Sequence, residues 1–305
     1  MKFTPTLPSQ PFFENKGHFV QLIFLLLFVI AGIILGSAMA FCFGKLIWGA
    51  DIAAHPTAAY YRFAQIFSAL GAFFAPAILF AFCHDKKWFA YSDANKHIGS
   101  GRTMFYILLL AFLLLPITAL AVYLNQQIHL PESMAAIEHW MEVTEKANND
   151  VLETLLAESG AGALILNVLV CAVLPAICEE FFFRGTLQQL FRRWFGNAHV
   201  AIWVTAIIFS AIHFQFSGFF ARMLLGAYLG YLFYWSGSLW LPILAHMLHN
   251  ALSIVLECVA RTYDLPINGD FNVTQQLPVA LFCVAAATGL LVMVYQQCKN
   301  VRKEL

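Results

Sequence analysis

Three short stretches place groups capable of acid–base chemistry inside apolar sequence. "CEEFFFRG" carries Glu179, Glu180 and Arg184; "FSAIH" carries Phe209 and His213; "HMLHN" carries His246, His249 and Asn250. Glu180 and Arg184 are four residues apart and share one helical face, whereas Glu179 is rotated by about 100° from Glu180. One carboxylate can therefore pair with Arg184 while the other points into a cavity. His246 and Asn250 likewise share a face at four-residue spacing.

A carboxylate beside neutral histidines in an apolar wall can act as a general base toward water. His213 could share the proton or hold the water. His246 and Asn250 could donate to the oxyanion of an attacked amide, each such donor being worth about 10²–10³ in rate. The implied reaction is peptide hydrolysis at membrane depth. The same groups Glu179, His213 and His246 could instead hold zinc with one open water position. No HExxH is present, so that ligand grammar is missing.

The elements that must position these groups are membrane helices. Of the 305 residues, 61% are hydrophobic and 11% charged, and the mean hydropathy is +0.73, well outside the balance of a soluble domain. Apolar runs long enough to cross a hydrocarbon core predict eight spans, near 19–44, 60–83, 104–124, 161–188, 198–216, 219–236, 238–257 and 277–297. The fold class is an all-α polytopic bundle. It divides into an N-terminal cytoplasmic segment (1–18), three spans (19–124), a polar connector (125–160), a core of four spans (161–257), and a last span with its tail (258–305). The N-terminus lacks the short apolar core and small-residue site of a signal peptide, so the first span is expected to be retained.

With the N-terminus inside, twelve of the 17 basic residues fall on the cytoplasmic side and five on the outer side, which favours both termini in the cytoplasm. The zero net charge gives no reason to expect a nucleic-acid partner. The connector carries seven acidic residues and one lysine, and its apolar positions recur at helical spacing. It reads as an amphipathic helix, or a helical pair, along the outer membrane surface, serving as a plain connector or a substrate gate. The seven cysteines show no CxxC and read as small apolar fillers. Cys178 lies beside two carboxylates, the opposite of the electropositive setting a thiolate nucleophile needs.

Most ionisable groups within the spans lie between 161 and 257: Glu179, Glu180, Arg184, His213, Arg222, His246, His249 and Glu257. Such groups are costly in a bilayer and mark function by default. A lone membrane histidine is ordinarily an interhelix hydrogen-bond partner, and His249 is left with that reading. Arg222 and Glu257, near span ends, are expected to snorkel. The break "RRWFGNAH" suggests a helical hairpin about Gly196, which would set Glu179 and His213 level, each ~25 Å from the turn.

In this order on successive helices, "EEFFFR", "FSAIH" and "HMLHN" resemble the motifs EExxxR, FxxxH and HxxxN of the CPBP family of CAAX-processing and bacteriocin-processing intramembrane endopeptidases. The resemblance implies Glu179 as the water-activating base with His213, support from Glu180 and Arg184, and oxyanion stabilisation by His246 and Asn250. It implies membrane lipid and a membrane-associated peptide or protein as partners. A metal-free glutamate mechanism is favoured, with zinc the alternative. "HFQFSGFFAR" looks like bacterial members, which points to a bacterial plasma membrane and away from a prenylated substrate. Competing classes are a proton-coupled transporter, for which no inverted repeat is visible, and a non-catalytic immunity protein.

Overall fold

The computed structural model describes residues 12–84, 100–128, 130–263 and 273–304. Residues 1–11 of the N-terminal segment, and Lys86, Lys87 and Lys96 of the charge argument, lie outside the described residues. Within them the chain is helical, with no strand: α1 (His18–Trp48), α2 (Ala58–His84), α3 (Gly101–Gln126), α4 (Ala135–Leu156), α5 (Ala161–Phe195), α6 (Ala198–Ala211), α7 (Phe219–Ser236), α8 (Trp240–Thr262) and α9 (Val273–Glu304). All but α4 and α6 contain stretches long and apolar enough to cross a membrane, which makes seven, and α6 is a shorter apolar helix. The chain is a polytopic helical bundle. Its α1 leaves Ile30, Ile34 and Leu35 more than half exposed, a face suited to lipid rather than water.

Two of the long helices widen before a proline. α2 has a π-turn at Leu70–Phe74 ahead of Pro76, and α5 has one at Leu169–Val173 ahead of Pro175. Proline lacks an N–H and its ring collides with the carbonyl four residues back, and a wider turn relieves both problems without breaking the helix. A third π-turn, Phe183–Leu187, contains Arg184, and there the Thr186 hydroxyl donates to the Phe181 carbonyl at 3.1 Å. These insertions rotate the faces of α5 relative to an uninterrupted helix.

α5 runs past the end of its apolar sequence to Phe195 and stops at Gly196, whose φ of 65° is left-handed and whose N–H returns to the Arg192 carbonyl. Asn197 then caps α6, its Oδ1 accepting from the N–H groups of His199 and Val200 at 2.9 and 3.2 Å. The result is the expected hairpin. α6 lies against α7, where Gly226 permits the approach: a Cβ there would sit 3.1 Å from both Ala206 Cα and Phe209 Cδ1. The core around α5 is built from aromatic and aliphatic side chains, among them Phe181, Phe183, Leu190, Phe209 and Phe233.

One expectation needs correction. The fifth span was placed at 198–216, but α6 ends at Ala211. Its end has a local cause: the His213 ring nitrogen Nδ1 bonds the Phe209 carbonyl at 2.7 Å, taking the acceptor that a continuing helix would use, and Phe214 turns the chain at φ 50°. The connector takes the single-helix form of the two expected, α4, preceded by a 3₁₀ turn at Glu132–Met134, and it also packs on the bundle. Leu155 and Leu156 are buried, and Trp140 packs against Phe214 and Phe216 with ring centroids 6.2 and 5.4 Å away.

Candidate active site

The structure brings residues from α5, α6, α7 and α8 to one cavity of about 440 Å³, lined by Glu179, Phe209, His213, His246, His249 and Asn250, among others. Leu152 of α4 and Gln65 of α2 also reach it. Glu180 and Arg184 do not line it. They lie behind the wall and are fully buried.

That division follows from the helix. Arg184 Nη1 donates to Glu180 Oε1 at 2.7 Å, and Nη2 donates to the carbonyl of Gly226 at 2.8 Å, tying α5 to α7. His246 on α8 adds its Nδ1 to the same Glu180 Oε1 at 2.9 Å. Two helices, α5 and α8, therefore meet at one buried carboxylate, and Arg184 links α7 to it through the Gly226 carbonyl. An unpaired ion at this depth would be expensive, and the Arg184 guanidinium with its neutral and charged acceptors offsets that cost.

Glu179 is 7% exposed, and its Oε2 has no hydrogen-bond partner among the described residues. A buried polar atom facing a polar-lined cavity without a partner calls for a reason.

The partners of the two histidines fix where their protons sit. The Phe209 carbonyl can only accept, so His213 carries hydrogen on Nδ1. Glu180 Oε1 already accepts from Arg184, so His246 also donates from Nδ1. In the neutral form each ring then keeps its Nε2 lone pair. Phe209 holds both rings: its own ring meets His213 edge-on at 5.0 Å and His246 at 5.9 Å, with the Arg184 guanidinium over its face at 4.9 Å. The spacing of FxxxH thus has a physical reason, because the Phe supplies a carbonyl for the histidine one turn on and a ring that braces the histidine of the next motif.

Arg222 is the residue whose role sequence reasoning missed. Instead of snorkelling, it is half-buried, lines the cavity, and donates to the Gln215 carbonyl at 3.0 Å and to Gln215 Oε1 at 2.7 Å. Its place near the start of α7 agrees with a span end, and what spacing does not show is that its side chain turns to Gln215 and the cavity. Glu257 pairs with Arg261 at 2.9 Å. His249 lines the cavity and its Nδ1 is unpartnered among the described residues, so it does not serve as a simple interhelix bond through that atom.

The loop bearing His213 is held from above by α4. Asn148 Nδ2 donates to the carbonyls of His213 and Phe214 at 3.5 and 3.4 Å, and Glu145 accepts from both the Ser217 N–H and its hydroxyl. At its far end α4 is fixed by Arg62, which bonds Asn167 Oδ1, Glu158 Oε2 and the Leu155 carbonyl.

Among the described residues no three His, Cys, Asp or Glu side chains are grouped so as to hold a metal ion. Glu179, His213 and His246 share a cavity without forming such a group.

Residues 161–252 match the family model described as type II CAAX prenyl endopeptidase Rce1-like. The matched segment contains all three motifs, with Glu179, Glu180, Arg184, Phe209, His213, Arg222, His246, His249 and Asn250. Among curated proteins, the chain is similar to "Uncharacterized protein YpbD" of Bacillus subtilis (strain 168), 30% identical over 101 residues. That alignment covers 32% of this chain and 47% of the relative, so about half of the relative's length is spanned. No solved structure matches.

Proposed function

We propose that this protein is an intramembrane endopeptidase that hydrolyses peptide bonds of membrane-associated proteins or peptides by a Glu179-activated water. The observation that carries this reading is the unpartnered Glu179 Oε2 at a cavity shared with His213, His246 and Asn250. Glu179 takes the proton of a water as it attacks the scissile carbonyl, and returns it to the leaving amine. His213, its Nδ1 committed to Phe209, offers Nε2 to the same water and holds it in line. The Asn250 amide donates to the developing oxyanion. His246, its Nδ1 bonded to Glu180, joins it as a donor from Nε2 when doubly protonated. Arg184 and Glu180 touch no substrate and fix the helices that bear the rest.

This mechanism runs through no metal. The Bacillus subtilis relative and the sequence after His213 support a bacterial plasma membrane, and the basic-residue asymmetry supports both termini in the cytoplasm, with the shorter α6 crossing beside the seven longer helices. The test is a comparison of membrane proteomes from cells expressing wild type or Glu179→Gln at matched levels. New peptide termini should appear only with wild type. Identical termini in both, with both proteins folded and abundant, would refute the assignment and favour a proton carrier.

A further inference from the structure

The cavity holds a cation that no described carboxylate touches, Glu145 and Glu179 acting on it only through space. Of its lining residues only Glu179 and Arg222 carry formal charge, yet they form no ion pair. The described ion pairs are Arg62–Glu158, Arg184–Glu180, His246–Glu180 and Arg261–Glu257. Arg222 is absent from all of them. Its two acceptors both belong to Gln215 and are neutral.

The surroundings hold this guanidinium in place. Gly218 leaves the space it occupies, since a Cβ there would lie 2.5 Å from Nη2. Gln215 grips both terminal nitrogens from one side. A half-buried cation in an apolar setting, braced by neutral groups and facing a cavity, is costly unless an anion completes it. Arginine's planar fork fits one anion of a peptide especially well, the carboxylate, which it can take in a bidentate manner. The transient oxyanion already has donors in Asn250 and His246, on a different helix.

We infer that Arg222 is a specificity-determining residue that binds a carboxylate of the substrate, and that the protease acts on peptides carrying an acidic group near the scissile bond. This rests on the endopeptidase reading above. The carboxylate has two possible sources, a free C-terminus or an Asp or Glu side chain, and both are chemically the same to the guanidinium.

The test uses the full chain in detergent and three versions of one apolar peptide labelled with a fluorophore and quencher: the free C-terminal acid, its C-terminal amide, and the amide with one internal glutamate. Hydrolysis is followed with wild type, and binding with Glu179→Gln, which leaves the peptide intact. At least one acidic peptide should be preferred over the neutral amide by about tenfold, expressed in KM rather than kcat, since charge-assisted hydrogen bonds are at stake. Arg222→Gln should bring the acidic peptides down to the level of the amide, and Arg222→Lys should keep part of the preference. Preference for the free acid assigns the terminus; preference for the glutamate peptide assigns a side chain. Equal binding of all three peptides, or an equal loss on all three in Arg222→Gln, overturns the inference. If acidic peptides bind through Arg222 but none is cut, the carboxylate site stands and the endopeptidase reading falls.

Discussion

His246 on α8 and Arg184 on α5 share one oxygen of Glu180, at 2.9 and 2.7 Å, and all three side chains are buried. The second glutamate of the EExxxR stretch is therefore the joint between two helices that carry different parts of the site. This separates two adjacent carboxylates: Glu180 is tied to Arg184 and His246, and Glu179 is left facing the cavity, where the proposed mechanism has it react.

Glu180→Ala should be strongly destabilising. It leaves Arg184 buried with no counter-charge, a loss of about 3–5 kcal/mol. Thermal unfolding in detergent should show a much lower midpoint, while Glu180→Met combined with Arg184→Met should recover stability and remain inactive. An unchanged midpoint in the single variant would mean that the pair is not buried as described.

Gly226→Val should damage both packing and activity. The added atoms would press on Ala206 and Phe209, and the Gly226 carbonyl is an acceptor of Arg184. Overpacking of this kind costs about 1–3 kcal/mol. Unfolding midpoint and hydrolysis rate measured on the same preparation should fall together.

Much of this site was legible from spacing alone. Glu180 with Arg184 at four residues, the hairpin at Gly196, and the separation of Glu179 from Glu180 all follow from one helix read by itself. What was not legible depends on how helices are placed against one another. The bond from His246 to Glu180 crosses from α8 to α5 and needs their relative depth, which the two π-turns of α5 alter in ways that a 3.6-residue period does not register. The end of α6 at Ala211 was hidden because Ile212 and Phe214 are as apolar as the helix before them, and what stops it is a side chain bonding its own backbone. Arg222 sits at the start of α7 as its span predicts, but its turn toward Gln215 and the cavity depends on the packing of that loop and is not visible in spacing.

Loosening the roof should slow the reaction without unfolding the protein. Glu145→Ala removes both bonds to Ser217 in the loop that bears His213. Because small misplacements at a reacting centre cost up to about 10²-fold, kcat should fall while the unfolding midpoint stays within the range of a surface substitution. A kcat equal to that of wild type would show that α4 does not position the loop.

Metal removal tests the route of the chemistry. If Glu179 acts directly on water, purified active protein should contain no stoichiometric zinc by elemental mass spectrometry, and a strong chelator should leave its rate unchanged. One zinc per chain, lost in His213→Ala or His246→Ala together with activity, would replace this mechanism with a metal-based one.

The central claim is that the Glu179 carboxylate activates the attacking water. The most direct measurement is hydrolysis by purified wild type and Glu179→Gln in heavy-oxygen water, with the products read by mass spectrometry. The account predicts solvent oxygen in the new C-terminal carboxyl of wild-type products. It also predicts a rate lower by about 10²–10⁴-fold in the folded variant, the usual contribution of a general base. Cleavage by Glu179→Gln at the wild-type rate would contradict it.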